Sequence, residues 1–208
     1  NTANTTANPP VTTTYSVIGS QATCTNLATI QVSVIGLPTV AVVGTNTLCS
    51  QNFNGSPSTT TLTAGGASTY QWSLPVGFSA LPNLSSNPIT LTPPVTSTSL
   101  VATMTVVGTA GSCTSVAVYQ VTVYPNPTIA VTSASMCAGT QVTLTASNAT
   151  TYTWSPATAL STTVGSNVIA NPSVTTMYSV IGSSVGCNSQ TQNGTASVVP
   201  NPTVTINQ

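Results

Sequence analysis

An all-β chain of small tandem sandwiches is what this sequence predicts, on three observations. Apolar and polar residues alternate at a period of two, the alternating runs recur in near-identical copies, and short Pro-centred junctions separate the copies. The clearest copy runs from Asn126 to about Val199.

The alternation comes first. Val142, Leu144 and Ala146 alternate with Thr143 and Thr145, Ile30, Val32 and Val34 with Gln31 and Ser33, and Tyr119, Val121 and Val123 with Gln120 and Thr122. Successive strand side chains point to opposite faces, so each run buries one face and wets the other. Val, Ile, Thr and Tyr suit such a pleated surface. Turn clusters at Gly65-Gly66, Pro82-Asn83, Ser147-Asn148, Gly165-Ser166-Asn167 and Asn193-Gly194 separate the runs. No window carries a useful helical period, so very little helix is expected.

The copies define the organisation. The stretch Asn8-Pro9-Pro10-Val11-Thr12-Thr13-Thr14-Tyr15-Ser16-Val17-Ile18-Gly19-Ser20 matches Asn171 to Ser183 almost residue for residue, and Pro93-Pro94-Val95-Thr96 continuing to Thr105-Val106-Val107-Gly108 is a looser copy. Leu37-Pro38-Thr39-Val40 recurs as Asn126-Pro127-Thr128-Ile129 and Asn201-Pro202-Thr203-Val204. The linker prolines stand 127 − 38 = 89 and 202 − 127 = 75 residues apart, lengths that suit a small β-sandwich. Residues 1–36 are therefore read as the C-terminal part of one repeat, 37–125 and 126–200 as complete repeats, and 201–208 as the first strand of another. The middle copy carries extra residues around 51–58 and 96–103. Proline fixes φ and favours extended neighbours, so these linkers predict a semi-rigid string of domains.

Composition removes whole classes of function. The 208 residues include no Lys, Arg, Asp, Glu or His, whereas an ordinary domain is about a quarter charged. Nothing neutralises phosphate, which excludes nucleic-acid binding and docking on anionic membranes. General acid–base catalysis loses its usual groups and hard-metal sites lose their carboxylates, so no enzyme, no cofactor and no metal site is expected. The apolar runs are too short for a transmembrane helix, and residues 1–10 have neither a basic start nor an apolar core, so the sequence is expected to begin as a mature or excised segment. A surface without charge also promotes association, which favours other copies of the chain as partners.

The five cysteines follow the repeat. Cys49 and Cys137 come about ten residues after a linker proline; Cys24, Cys113 and Cys187 come just beyond the Val-Ile-Gly or Val-Val-Gly run. Structural disulfides are the expected reading, with Cys49–Cys113 and Cys137–Cys187 paired within repeats and Cys24 bonded to a partner outside this segment. Each bridge, closing roughly 50–65 residues, is worth on the order of 4 kcal/mol in the chain-entropy model. A catalytic or metal-binding thiol is the competing reading, and no His or second close Cys supports it.

Tyr70-Gln71-Trp72 and Tyr152-Thr153-Trp154 hold the same place in both full repeats. A tryptophan on the third strand is a core feature of immunoglobulin-like sandwiches, so Trp72 and Trp154 are expected in the core, as are Tyr15 and Tyr178. Sugar-stacking platforms are the alternative use of these rings. Asn-x-Ser/Thr triplets at Asn4, Asn54, Asn83, Asn148 and Asn193 would be glycan acceptors only in a host with that machinery.

Cys137-Ala-Gly-x-x-Val-Thr-Leu-Thr-Ala146, Tyr152-x-Trp-Ser-Pro156, Pro172-x-x-Thr-Thr-x-Tyr-x-Val180 and Gly186-Cys187 resemble the Ig-like/PKD-like tandem repeats of large Bacteroidota surface proteins, among them adhesins exported by the type IX secretion system. The resemblance covers nearly all of 126–200 and most of 37–125 more loosely. It implies an extracellular, cell-surface protein with β-sandwich repeats as spacer or adhesive stalk. Such repeats commonly carry Asp and Lys in their turns; this chain carries neither, which shifts the expectation from calcium-stabilised adhesion to a self-packing filament or bundle. The alternative is a surface module binding glycans or ice through Thr-x-Thr runs such as Thr61-x-Thr63 and Thr143-x-Thr145.

Overall fold

The computed structural model describes residues 4–206, so the outermost residues of the 1–36 and 201–208 segments lie outside the described residues. Among the described residues all regular structure is β. The strands are β1 (Thr13–Gln21), β2 (Cys24–Val32), β3 (Ala41–Gly44), β4 (Thr47–Cys49), β5 (Thr60–Gly65), β6 (Thr69–Ser73), β7 (Ser79–Leu81), β8 (Ile89–Thr92), β9 (Leu100–Ala110) and β10 (Cys113–Tyr124). They continue as β11 (Ala130–Val131), β12 (Ala134–Cys137), β13 (Val142–Ser147), β14 (Thr151–Ser155), β15 (Asn167–Ala170), β16 (Thr176–Ser184), β17 (Cys187–Asn188) and β18 (Gln192–Val199).

Strands β3 to β10 make two facing sheets, β3-β5-β8-β7 and β4-β10-β9-β6. Neighbours are antiparallel except β4, which runs parallel to β10. Written in immunoglobulin order these are the A-B-E-D and A′-G-F-C sheets, so the topology itself makes this an immunoglobulin-like sandwich. The second sandwich repeats the plan with β11-β13-β15 against β12-β18-β16-β14, again with β12 parallel to β18. It has no counterpart of β7; an isolated bridge from Leu160 to Ala170 holds that edge. The extra length of the first sandwich lies in the loop 50–59, in the segment 74–88 that carries β7, and in 93–99 together with the start of β9.

Alternation positions each core. On β5 the buried residues are Thr60, Leu62 and Ala64, and on β8 Ile89 and Leu91, with polar residues facing out between them. Leu62, Ile89, Leu91, Met104, Val106, Val121 and Val123 are fully buried around Trp72. Leu144, Val168, Ala170, Tyr178, Val180 and Ala196 do the same around Trp154. Each large apolar side chain so buried contributes about 1.5–3 kcal/mol, and here that burial carries stability without any ion pair.

The first segment forms the hairpin β1–β2, with Tyr15 opposite Ile30 and Val17 opposite Ala28. Adding 89 to these numbers lands on β9 and β10, where Val106 is completely buried, whereas Val17 is 60% exposed because no sheet faces it among the described residues. Residues 201–206 carry no strand pairing among the described residues.

Candidate functional site at the repeat junction

The features that join one sandwich to the next meet around Tyr124-Pro125-Asn126-Pro127. Both prolines lack an N–H and restrict φ, and the residue between them ties the junction through its side chain. Asn126 Oδ1 accepts hydrogen bonds from Gln51 N at 2.9 Å and Ser50 Oγ at 3.0 Å. Its Nδ2 donates to Gln51 O at 2.8 Å and, across the junction, to Asn188 O at 2.7 Å. Every hydrogen-bonding position of that amide on the protein side is thereby used.

The partner surface is a hairpin tip. Ser184 pairs with Cys187 across the two-residue turn Val185-Gly186, whose φ values are 52° and 78°. Two successive positive φ angles define the type I′ turn that matches the twist of paired strands. Behind it, Ser189 is 1% exposed and its Oγ accepts from Gly182 N at 2.9 Å, fixing the strand that leaves the tip. The tip lies beside β4: Thr47, Leu48 and Cys49, with Tyr124 at the end of β10, line a shallow cavity together with Val185, Gly186 and Cys187.

Cys49 and Cys187 are disulfide-bonded, with Cα atoms 5.5 Å apart, so the bridge joins the two repeats. This corrects the expected intra-repeat pairs. Cys49 lies beside Tyr124 at the end of β10, while Cys113 opens that strand 124 − 113 = 11 residues earlier. At about 3.3 Å per residue the two are roughly 36 Å apart, far beyond the ~7 Å limit for a bridge. Cys137 beside Val199 and Cys187 at the opposite end of its sandwich are separated in the same way. Cys24 and Cys137 are free and exposed; Cys113 is free and half-buried, its thiol 3.7 Å from Ile35 O. Which repeat each cysteine faces depends on strand length and direction, and spacing alone does not encode it.

The aromatic residues are distributed differently. Trp72 and Trp154 are 1% and 2% exposed, and each indole Nε1 donates to a loop carbonyl, Ser86 O at 3.1 Å and Gly165 O at 2.9 Å. Neither indole presents a face to a sugar, which removes the stacking alternative for Trp72 and Trp154. Tyr178 is fully buried and donates to Thr158 O at 3.0 Å; burial pushes its phenol above the usual tyrosine range. Tyr15, on the uncovered hairpin, is half-buried.

The Thr-x-Thr runs lie on outer faces. Thr61 pairs with Thr90, but in the second sandwich Thr143 pairs with Ile169 and Thr145 with Asn167, so the hydroxyl ladder is not repeated. The five acceptor asparagines are all exposed. Among the described residues no cluster of His, Cys, Asp or Glu could hold a metal ion.

No family model matches the chain, and no curated protein matches it either. Solved structures similar to it are immunoglobulin-domain proteins. The titin I-band fragment I67–I69, in an E-to-A variant, is 11% identical with a TM-score of 0.47, over 92% of this chain and 75% of that one. The insect immune protein hemolin is 11% identical with a TM-score of 0.39, over 90% and 56%. The Ig1-2 module of the Drosophila receptor phosphatase DLAR is 13% identical with a TM-score of 0.30, over 79% and 100%. The fold assignment rests on the strand order and parallel A′ strands described above.

Proposed function

We propose that this chain is a structural and adhesive segment of an extracellular, cell-surface filament or stalk that associates with copies of itself. The observation that carries the reading is the junction: a disulfide from Cys49 to Cys187 together with the four-bonded Asn126 braces consecutive repeats. A binding module needs no such brace, whereas a load-bearing rod does. A disulfide also suits an oxidising, extracellular setting.

Self-association is supported by the outer surface. Val101, Val116 and Val118 stand on the outward face of β9–β10, exposed by 61%, 59% and 62%. The sheet edges carry no Lys or other charge to discourage pairing with a second chain. Contact between such surfaces is apolar and hydroxyl-mediated, so salt does not screen it.

Sedimentation and electron microscopy of the purified chain at rising concentration test this. Elongated particles that bundle laterally, equally in low and 1 M salt, are expected. Replacing Val116 and Val118 together by Lys keeps the fold, as both point to solvent, and suppresses bundling. A wild-type chain that stays monomeric at high concentration overturns the self-association; binding on a glycan array would instead support the ligand-binding reading.

A further inference from the structure

Two of the three segments by which the first sandwich exceeds the second meet at one place. The loop 50–59 and the stretch 93–99 wall a cleft of about 540 Å³, whose far side is the linker at 126–129 and residues 189–192 of the second repeat. Where the second sandwich passes from β12 to β13 through residues 138–141, the first passes from β4 to β5 through the longer loop 50–59. Residues added to one copy of a repeat commonly form loops on a binding face. Here they are added beside the neighbouring repeat.

Both walls hold their own shape. Asn52 N donates to Ser56 O at 2.8 Å, and Asn52 Nδ2 donates to Ser56 Oγ and to Pro57 O at 3.0 Å. Thr96 Oγ1 donates to Thr98 O at 2.6 Å. Ile129 and Ser189, 6% and 1% exposed, form the floor. Gln190 reaches across the junction, since a methyl group on Gly55 would lie 3.0 Å from its Nε2.

The lining narrows the ligand. Gln190, Gln192, Thr128 and Ser97 have no side-chain hydrogen-bond partner among the described residues, and Gln51 uses only its Nε2, on Gly55 O at 3.1 Å. Amides and hydroxyls offer donors and acceptors together, which suits a ligand bearing several hydroxyls. Val95, Pro127 and Ile129 add an apolar strip for a C–H face. No residue of the chain is charged, so an ionic ligand would lose hydration here without gaining a counter-charge. No aromatic ring lines the cleft, so a flat aromatic ligand finds nothing to stack on. An extended peptide would need an open strand edge, and the cleft presents side chains instead. The volume falls within the ~300–1,000 Å³ of small-molecule sites.

We infer that this cleft binds a neutral saccharide, held by Gln190 and Gln192 from one repeat and by Gln51 and Ser97 from the other. The site supplies a ligand class for the adhesive role proposed above, and rests on that role rather than on self-association.

Titration calorimetry of the full chain with cellotriose, chitotriose, mannotriose and xylotriose tests the site, with trigalacturonate as the charged control. At least one of the four neutral trisaccharides is expected to bind, and trigalacturonate is not. The Gln190→Ala, Gln192→Ala double variant should bind that trisaccharide about tenfold more weakly, the loss of two neutral hydrogen bonds. Both glutamines are exposed, so the denaturation midpoint of the variant should match the wild type. In labelled wild-type protein their side-chain NH2 signals should shift as the sugar is added. No binding of any of the four, equal binding of trigalacturonate, or unchanged affinity in the double variant overturns the inference. The Val116→Lys, Val118→Lys chain should bind the sugar as the wild type does. A chain that bundles but binds none of the trisaccharides removes only this site, and one that binds sugar but stays monomeric removes only the self-association.

Discussion

Gly108 and Gly182 lie opposite Tyr70 and Tyr152 on the strands that flank each tryptophan strand. A methyl group on Gly182 would press into Ile129 and Ala149, and one on Gly108 into Val40 and Ala67. Each tyrosine hydroxyl bonds both N and O of the nearby alanine, Ala67 or Ala149, so neither ring can move aside without losing two hydrogen bonds. Gly182→Ala is therefore expected to cost about 1–3 kcal/mol as overpacking. Gly19 ends the same Val-Ile-Gly motif, yet nothing lies within 4 Å of its added methyl, so Gly19→Ala is expected to be neutral. Urea denaturation of both variants checks the pair, and an undisturbed Gly182→Ala would remove the account of this motif. Val185 raises the opposite question. A β-branched residue at φ 52° is strained, and it is 71% exposed. Val185→Asn, which tolerates the left-handed region, should stabilise the hairpin by about 1 kcal/mol. A lower midpoint would mean that valine's contact with the β4 platform outweighs the backbone strain.

At the level of elements, the strands were readable because the longer strands of the two sandwiches bury one face, which writes a period of two into the residues, and β1 and β2 carry the same pattern although no sheet covers them among the described residues. The tryptophans were readable too, since a large ring flanked by polar neighbours on a strand has one place to go. The hairpin–linker junction was not. Its two halves, Ser50-Gln51-Asn126 and Cys187-Asn188, are far apart in sequence, and each looks like ordinary turn material. The cysteines misled for a related reason: alternation gives the face of a strand but neither its length nor which end meets the neighbouring repeat. With β10 running from Cys113 to Tyr124, the two thiols of the repeat lie at opposite poles, and only the next repeat brings a cysteine to Cys49. The junction then predicts separable contributions. Asn126→Ala should leave both sandwiches folded while weakening their docking by about 1–3 kcal/mol, the cost of partner groups left unbonded. Small-angle scattering is expected to show a broader distribution of lengths after disulfide reduction in this variant than in the reduced wild type. Equal flexibility in the two would show that Asn126 does not clamp the repeats.

For the whole molecule, the absence of charge determines how stability responds to its surroundings. Stability changes with pH only where folded and unfolded chains bind different numbers of protons, and acid denaturation comes chiefly from carboxylates and histidines. This chain has neither, so no acid limb is expected: the denaturation midpoint should stay level from about pH 3 to about pH 9. The alkaline side differs because of Tyr178. Burial raises its phenol above the ordinary value, so the unfolded chain releases that proton at a lower pH than the folded one does. The associated stability is fully present below the unfolded pKa of about 10 and is lost as pH climbs through the higher folded value. Tyr178→Phe should flatten this limb, at a pH-independent cost of about 0.5–1.5 kcal/mol for the lost bond to Thr158 O. Midpoints measured across the pH range, with Cys24, Cys113 and Cys137 replaced by serine to silence free thiols, give the test. A midpoint that falls in acid, or an alkaline limb that survives Tyr178→Phe, would contradict it. A fold whose stability is level from acid to mild alkali and insensitive to ionic screening is what the elimination of every charged side chain produces, at the expense of the repulsion that keeps ordinary domains apart.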